Sequence, residues 1–180
     1  MADYQQLTHE FEPVFNKDSR ILILGTFPSV KSREQHFYYG HPQNRFWKVL
    51  AAVTEEPVPT TIPQKRQLLL NHHIAIWDVI QSCEIIGSSD SSIRNVVPAD
   101  IQGLLEQSHI AAIFGNGGKA CELFEKYTLP SLSAASSENK QDVNMEWQIH
   151  KLPSTSPANA AWSLERLCDY WKQEICPFLL

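Results

Sequence analysis

The sequence predicts an α/β fold, a three-layer α/β/α sandwich with a mostly parallel central sheet of about four strands. Short apolar runs alternate along the chain with segments of helical periodicity. Three of these runs end in loops rich in Gly, Pro, Ser or Asn, at residues 25–29, 115–118 and 153–159. In a parallel sheet such loops converge on one edge, where open α/β sheets bind ligands. With 43% hydrophobic residues, residues 1–180 are expected to form a single domain.

The elements of the first half follow from apolar periodicity and from the residues that interrupt it. The run before Gly25 reads as a buried strand because it is short, rich in Ile and Leu and stopped by glycine. Pro63 opens a helix because proline suits the first helical turn. The predicted order is an extended lead-in over 1–19, a strand over 20–24, a loop over 26–41, a helix over 43–53, a loop over 55–62 and a helix over 63–72.

The second half repeats this alternation with three further strands. The last of them runs into a loop that contains Pro153 and Pro157, which separate it from the final helix. The predicted order is a strand over 74–80, a polar loop over 87–92, a helix over 100–107, a strand over 109–114, a Gly-rich turn over 115–118, a helix over 119–127, a mobile Ser-rich segment over 131–144, a strand over 146–152, a loop over 153–159 and a helix over 160–175.

Composition argues against several classes of protein. No apolar run approaches membrane-spanning length, and the first residues lack the regions of a signal peptide, so a cytoplasmic location and no membrane partner are expected. Neither the four cysteines nor the histidines are spaced as metal ligands, which predicts reduced thiols and no metal. The turn at 115–118 lacks the spacing of a dinucleotide or Walker motif, so no nucleotide cofactor is expected.

The charge is unevenly distributed. The chain carries a net charge of −5, yet the segment 17–48 holds six cations and only two acids. A basic face on an acidic protein can hold a phosphate backbone at one place. The alternative is a chance cluster of surface cations.

Two neighbouring clusters carry the chemistry. Gly25-Thr26-Phe27-Pro28-Ser29 follows the first strand, and residues 38–48 add aromatic rings, an amide and cations just beyond that edge. Stacking, hydrogen bonding and phosphate attraction are what a protein needs to hold a nucleobase. Asn44 offers one acceptor and two donors for this purpose. Its alternative role is to cap the helix that begins near it.

These motifs resemble the mismatch-specific uracil-DNA glycosylases, and they lie closer still to the hypoxanthine (deoxyinosine) branch of that superfamily. The resemblance covers nearly the whole chain in order and implies the uracil-DNA glycosylase fold. Its motifs are Gly25-Thr26-Phe27-Pro28-Ser29, Tyr38-Tyr39, His41-Pro42 with Asn44-Arg45-Phe46-Trp47-Lys48-Val49, Trp77-Asp78-Val79-Ile80, Gly87-Ser88 with Asp90-Ser91 and Ile93, and Leu152-Pro153-Ser154-Thr155-Ser156-Pro157-Ala158-Asn159.

The resemblance implies a monofunctional DNA glycosylase that excises deaminated bases, hypoxanthine preferred, by water-mediated hydrolysis in base excision repair. It implies DNA with a deaminated base as the partner, a monomer, and neither cofactor nor metal. One alternative is a uracil- or mismatch-specific glycosylase. Another is a nucleic-acid-binding module that kept the fold without turnover.

Two departures from the uracil-specific members bear on the mechanism. Phe27 stands where those enzymes carry the Asn or Asp that positions water, and Leu152 stands where many carry a histidine that stabilises the leaving base. The resemblance therefore implies that Asn44 is the catalytic residue. The sequence leaves open whether its carbonyl orients water or its amide bonds the leaving base.

The resemblance also assigns the remaining site residues. Tyr39 is expected to stack on the base, the alternative being a core tyrosine, and Asp78 is either a pocket residue or a buried hydrogen-bonding acid. Loop 154–159 is expected to enter the minor groove, the alternative being an ordinary loop with Asn159 as a helix cap. The base-binding set is Gly25, Thr26, Phe27, Pro28, Ser29, Tyr39 and Asp78, and the DNA-binding set is Lys31, Arg45, Ser154, Thr155, Ser156 and Asn159.

Overall fold

A four-stranded parallel sheet forms the centre of the protein. The computed structural model describes residues 3–138 and 146–179, without the side chains of 135–138. The strands, in chain order, are β1 (Gln5–Thr8), β2 (Ile21–Gly25), β3 (Ile74–Asp78), β4 (Ile80–Ile85), β5 (Arg94–Pro98), β6 (Ala112–Asn116) and β7 (Ile149–Leu152). The parallel sheet has the order β3-β2-β6-β7, and a smaller antiparallel sheet has the order β1-β4-β5.

The helices alternate with the parallel strands. They are α1 (Val30–Gln35), α2 (Phe46–Thr54), α3 (Ile62–Asn71), α4 (Ile101–Glu106), α5 (Gly118–Leu123), α6 (Leu129–Glu138) and α7 (Leu164–Leu179), with a π-helical turn over Phe124–Thr128 between α5 and α6. Thr61 and Gln64 close a capping box at the start of α3, with Pro63 in its first turn. Among the described residues, no helix combines the length and apolarity needed to cross a bilayer.

The parallel sheet is covered on both faces, as the sequence predicts. Along β2, Ile21 and Ile23 pack with the buried residues of α2, α3 and α7, while Leu22 and Leu24 pack toward β4, α4 and the α5–α6 segment. All four side chains are fully buried, and each contributes about 1.5–3 kcal/mol by leaving water. The predicted three-layer α/β/α architecture is therefore confirmed.

Strand register brings the three predicted loops to one edge. Gly25 at the end of β2 lies beside Asp78 at the end of β3. On the other side of β2, the register of β6 and β7 places Asn116 opposite Leu152. The loops that follow these strands therefore border a common space.

The antiparallel sheet was not predicted. The expected lead-in contains β1, which pairs with β4, and β4 pairs with β5. Both β1 and β5 are largely exposed, so neither carries the apolar pattern that marks a buried strand. The single strand expected over 74–80 is in fact two, because β3 ends at Asp78 and β4 begins at Ile80.

Other boundaries also differ. The loop expected over 26–41 contains α1, whose N-cap Ser29 accepts a hydrogen bond from the Ser32 N–H. The segment expected to be mobile is helical as far as residue 138, and its residues 139–145 lie outside the described part. The last strand spans Ile149–Leu152, and the last helix begins only at Leu164, where the Ser163 hydroxyl accepts from the Arg166 N–H.

Candidate active site

A cavity of about 320 Å³ opens at the carboxyl edge of the parallel sheet. Its volume lies in the range of sites that take small molecules. Most of the predicted site residues line it. They are Gly25, Thr26, Phe27, Pro28, Ser29, Lys31, Tyr39, Asn44, Asp78, Ser154, Thr155 and Ser156. Arg45 and Asn159 are not among its lining residues.

Asn44 borders the cavity just before α2. Its side-chain oxygen Oδ1 accepts hydrogen bonds from the Phe46 backbone N–H at 2.9 Å and from the Thr155 hydroxyl at 2.9 Å. The first bond satisfies the N–H of the first helical residue, while the N-cap position of α2 is Arg45, so Asn44 supports the start of the helix without being its cap. Within the described residues the amide nitrogen Nδ2 makes no hydrogen bond. One residue thus supports the helix with its oxygen and keeps its amide donors free.

Thr155 is held by Asn116. The Thr155 backbone N–H donates to Asn116 Oδ1, and Asn116 Nδ2 donates to Thr155 Oγ1, both at 3.0 Å. Thr155 is fully buried, so its hydroxyl is not presented to a DNA backbone. Thr155 was expected to contact DNA, but its buried hydroxyl instead donates to Asn44.

Arg45 lies behind the loop that follows β7. Its guanidinium donates to four backbone carbonyls, those of Thr155, Ser156, Asn159 and Trp162. An arginine side chain has five N–H donors, so nearly all of them are used within the protein. The structure therefore gives Arg45 the task of fixing this loop, and its predicted contact with DNA stays a prediction.

Asn159 belongs to the same loop. Its Nδ2 donates to the Ser154 carbonyl at 3.0 Å, and the residue borders a groove next to the cavity. It does not cap α7, because that helix begins at Leu164. Its predicted contact with DNA stays a prediction.

Asp78 is both a buried acid and a cavity residue. Its Oδ2 lies 2.8 Å from His9 Nε2, and the two side chains are only 6% and 1% exposed. The other oxygen, Oδ1, lies close over the Cα of Gly25. Both alternatives that the sequence left open for Asp78 are therefore realised together.

Position 25 has no room for a side chain, because Asp78 Oδ1 lies so close to the Gly25 Cα. A Cβ built at position 25 would clash with Asp78 Oδ1 and lie 3.0 Å from the Tyr39 hydroxyl.

Gly25→Ala is expected to lower the free energy of unfolding by about 1–3 kcal/mol through overpacking, measured by urea denaturation. Gly118→Ala is the matched control, because its Cβ would meet the flexible end of Lys151 at 3.4 Å. Equal stability of the two variants would contradict the tight packing at Gly25.

Tyr39 holds an uncommon conformation at the cavity wall. Its φ of +53° lies in the left-handed region, which bulky residues rarely adopt and which often marks functional sites. Its ring stacks on Phe46, with centroids 3.8 Å apart and planes tilted by 18°. The hydroxyl is buried next to the Asn116 side chain, without a hydrogen bond of good geometry among the described residues. Burial, and then the charge of Asp78, raise the pKa of this hydroxyl, so it stays a proton donor.

The predicted cation cluster does not form one face. Lys17 and Arg20 precede β2, and Arg20 Nη1 donates to the Leu179 carbonyl at the end of α7. Lys31 lies at the cavity, beyond the other end of the strand, in an exposed ion pair with Glu34 at 3.2 Å. Exposed pairs of this kind are weak, so Lys31 can exchange its partner for a phosphate.

Several residues of the site were missed from the sequence: Asn116, Ser88 and Asp90 line the cavity, and His9 pairs with Asp78. Asn116 had a usable signal, since it ends a strand next to β2 and precedes a Gly-rich turn. His9 had none, because the segment before the first strand was read as a lead-in. Ser88 and Asp90 lie in a motif that the resemblance had singled out without assigning roles, and Ser88 Oγ accepts from the Val30 N–H.

The chain is similar to known proteins over most of its length. Residues 12–174 match the family described as the uracil DNA glycosylase superfamily. A hypoxanthine DNA glycosylase of Methanosarcina acetivorans is 32% identical over 148 residues, which cover 77% of this chain and 94% of that protein. A hypoxanthine DNA glycosylase of Methanosarcina barkeri is 36% identical over 86 residues, covering 47% and 54%.

A solved structure shares the fold. It is a solution NMR structure of a Methanosarcina acetivorans protein proposed to be a uracil DNA glycosylase, with a TM-score of 0.72 and 31% identity. The match covers 91% of this chain and 93% of that one. By family match, sequence identity and fold, the chain belongs to the uracil DNA glycosylase superfamily.

Proposed function

We propose that this protein is a monofunctional DNA glycosylase that removes deaminated bases, with hypoxanthine preferred, by hydrolysis of the N-glycosidic bond. One observation carries the proposal: a single cavity at the sheet edge combines the Asn44 amide, the Tyr39 ring and the Asp78 carboxylate. Two relatives named hypoxanthine DNA glycosylase support it. The expected monomeric state and cytoplasmic location stay predictions.

The polar groups of the cavity match a deaminated purine. Hypoxanthine carries an N–H donor at N1 beside a carbonyl acceptor at C6, whereas adenine carries an acceptor at N1. The oxygen of Asp78 that His9 leaves free can accept from the N1–H. Adenine would set its N1 lone pair against a carboxylate, and such a mismatch gives strong discrimination.

The target nucleotide has to leave the duplex to reach this cavity. Extrusion costs a few kcal/mol, and it costs least for a mispaired base. Around the opening, Lys31 together with the hydroxyls of Ser154 and Ser156 can contact the backbone of the extruded strand. Arg45 holds the loop that carries these serines. The described residues thus supply a pocket for the base and polar groups for the strand.

A panel of oligonucleotides tests the proposal. Each carries one deoxyinosine, one deoxyuridine or no lesion, and released base and abasic sites are measured after incubation with the protein. Release of hypoxanthine faster than uracil, without strand nicking and without borohydride trapping of a Schiff base, is the expected result. Release of uracil alone would favour a uracil or mismatch glycosylase. Tight binding without release would favour a binding module.

Tyr39→Ala is expected to weaken binding to deoxyinosine DNA by about 1–3 kcal/mol, because one stacking face is lost. The dissociation constant is measured by fluorescence anisotropy, in the Asn44→Ala background so that the base stays attached. Tyr4→Ala is the matched control, since Tyr4 is an exposed tyrosine that does not line the cavity. Equal affinities would mean that Tyr39 serves only the core.

A further inference from the structure

We infer that Asn44 acts on the departing base through its NH₂ group, and that Thr155 and Asn116 are positioning residues that hold it in this orientation. The inference rests on the proposed glycosylase function and deepens it. Sequence alone left open whether the Asn44 carbonyl orients water or its amide bonds the base. The hydrogen-bond directions around Asn44 decide between these roles.

Two backbone N–H groups fix the orientation of two side-chain amides. A backbone N–H can only donate, so the Asn44 atom that faces the Phe46 N–H at 2.9 Å has to be the oxygen. By the same reasoning, the Asn116 atom that faces the Thr155 N–H at 3.0 Å is its oxygen. The position of each amide nitrogen follows, because the flipped orientation would set an NH₂ group against a backbone N–H.

The Thr155 hydroxyl then has only one direction for its hydrogen. Asn116 Nδ2 donates to Thr155 Oγ1 at 3.0 Å, so this contact uses the hydroxyl as an acceptor. The other partner, Asn44 Oδ1 at 2.9 Å, is an acceptor and takes the hydroxyl hydrogen. The chain of donation runs from Asn116 through Thr155 to Asn44. These hydrogen bonds are partly buried, and Thr155 itself is fully buried. Hydrogen bonds are stronger in such surroundings because the local dielectric constant is low.

The oxygen of Asn44 is therefore saturated. A carbonyl oxygen has two lone pairs, and Phe46 and Thr155 occupy both. A water that attacks carbon has to be oriented by an acceptor, which Asn44 no longer offers. Its Nδ2 keeps two hydrogens, and the residue lines the cavity. Asn44 thus presents donors to whatever occupies the pocket.

A donor at this place stabilises the charge that develops on the base. In hydrolysis the C1′–N9 bond breaks and its electron pair passes to the purine, which takes on negative charge over its ring nitrogens and carbonyl oxygen. The Asn44 N–H groups stabilise that charge. Water adds its hydroxide to C1′ and its remaining proton neutralises the base, giving an abasic sugar and free hypoxanthine. A preorganised donor to a developing anion accounts for about 10²–10³-fold in rate.

Asn44→Asp separates the two roles, because it keeps the shape and replaces the donor with an acceptor. We expect its single-turnover rate on deoxyinosine DNA near neutral pH to be no faster than that of Asn44→Ala. The Asp variant should recover as pH falls toward about 4, where a protonated carboxyl again donates. Asn71→Asp, an exposed asparagine away from the cavity, controls for the added charge. An Asn44→Asp enzyme within about 10-fold of wild type at neutral pH would overturn the inference.

Thr155→Val tests the positioning role. Removing the hydroxyl should lower the single-turnover rate by about 10–100-fold with little change in KM, since misplacing a reactive group has effects of that size. Thr155→Ser should restore the rate. Thr128→Val is the matched control, because Thr128 is also buried and its hydroxyl has no partner among the described residues. A wild-type rate in a folded Thr155→Val enzyme would overturn the positioning role.

The activity of the wild-type protein shows whether a negative result contradicts only the role of Asn44 or the proposed function as well. Release of hypoxanthine by wild type, together with an active Asn44→Asp variant, would overturn the inference and leave the proposed function intact. An inactive wild type on every lesion substrate would overturn both.

Discussion

Asn44→Ala is expected to slow hypoxanthine release from deoxyinosine DNA by about 10²–10³-fold, the usual effect of removing one donor to a developing anion. The affinity for damaged DNA should change far less, because the Tyr39 ring and the Asp78 carboxylate stay in the cavity. Single-turnover kinetics and equilibrium binding on the same oligonucleotide separate the two quantities.

The stability of this variant should fall only modestly. Asn44 Oδ1 accepts from the Phe46 N–H at the start of α2, and losing such a bond costs about 0.5–2 kcal/mol. Thermal unfolding measures this loss, and Asn71→Ala, at an exposed asparagine, serves as the control. A rate within about 3-fold of wild type in a folded Asn44→Ala protein would remove Asn44 from the mechanism.

Arg45→Ala is expected to lower the free energy of unfolding by about 2–4 kcal/mol. Four carbonyls of the loop after β7 would lose a charged donor, and hydrogen bonds to charged groups contribute about 1.5–3 kcal/mol each without being additive. Urea unfolding measures the loss. Arg45→Lys should recover little of it, since a single ammonium cannot reproduce the planar fork of a guanidinium.

The salt dependence of DNA binding shows whether Arg45 fixes the loop or contacts a phosphate. If Arg45 contacted a phosphate, its loss would lower the salt slope of DNA binding by about 1 and leave stability nearly unchanged. Lys48→Ala is the control, because Lys48 is an exposed cation in α2, the helix that follows Arg45. An unchanged unfolding free energy with a reduced salt slope in Arg45→Ala would contradict the role that the hydrogen bonds assign.

The sheet edge could be predicted because it depends on local patterns. A buried run that stops at Gly25, and two further runs that stop before Gly115 and Pro153, are recognisable from a few neighbouring residues each. Parallel topology then forces their ends together. The same reasoning would have included Asn116, which follows Gly115 at the end of β6.

The roles of individual side chains were harder to predict from the sequence, because they depend on contacts between segments that lie far apart in the chain. Arg45 reads as a surface cation in the sequence, yet its partners lie more than 100 positions later. Thr155 reads as a phosphate ligand until its burial and its bonds to Asn44 and Asn116 are seen. His9 follows the exposed strand β1 and is held in place by the pairing of β1 with β4 and by its own hydrogen bonds to Gln81 and Asp78. Local periodicity carries no signal for such contacts.

The pairing of His9 with Asp78 has a practical consequence for anyone who trims the chain. The family match begins at residue 12, so a fragment cut at that boundary would discard His9 and all of β1. The carboxylate of Asp78 would then sit enclosed with no donor opposite Oδ2, and β4, the central strand of the antiparallel sheet, would lose its neighbour β1. The described residues ahead of the family match, 3–11, thus hold the Asp78 side chain in place at the cavity and belong in any fragment that is to keep it.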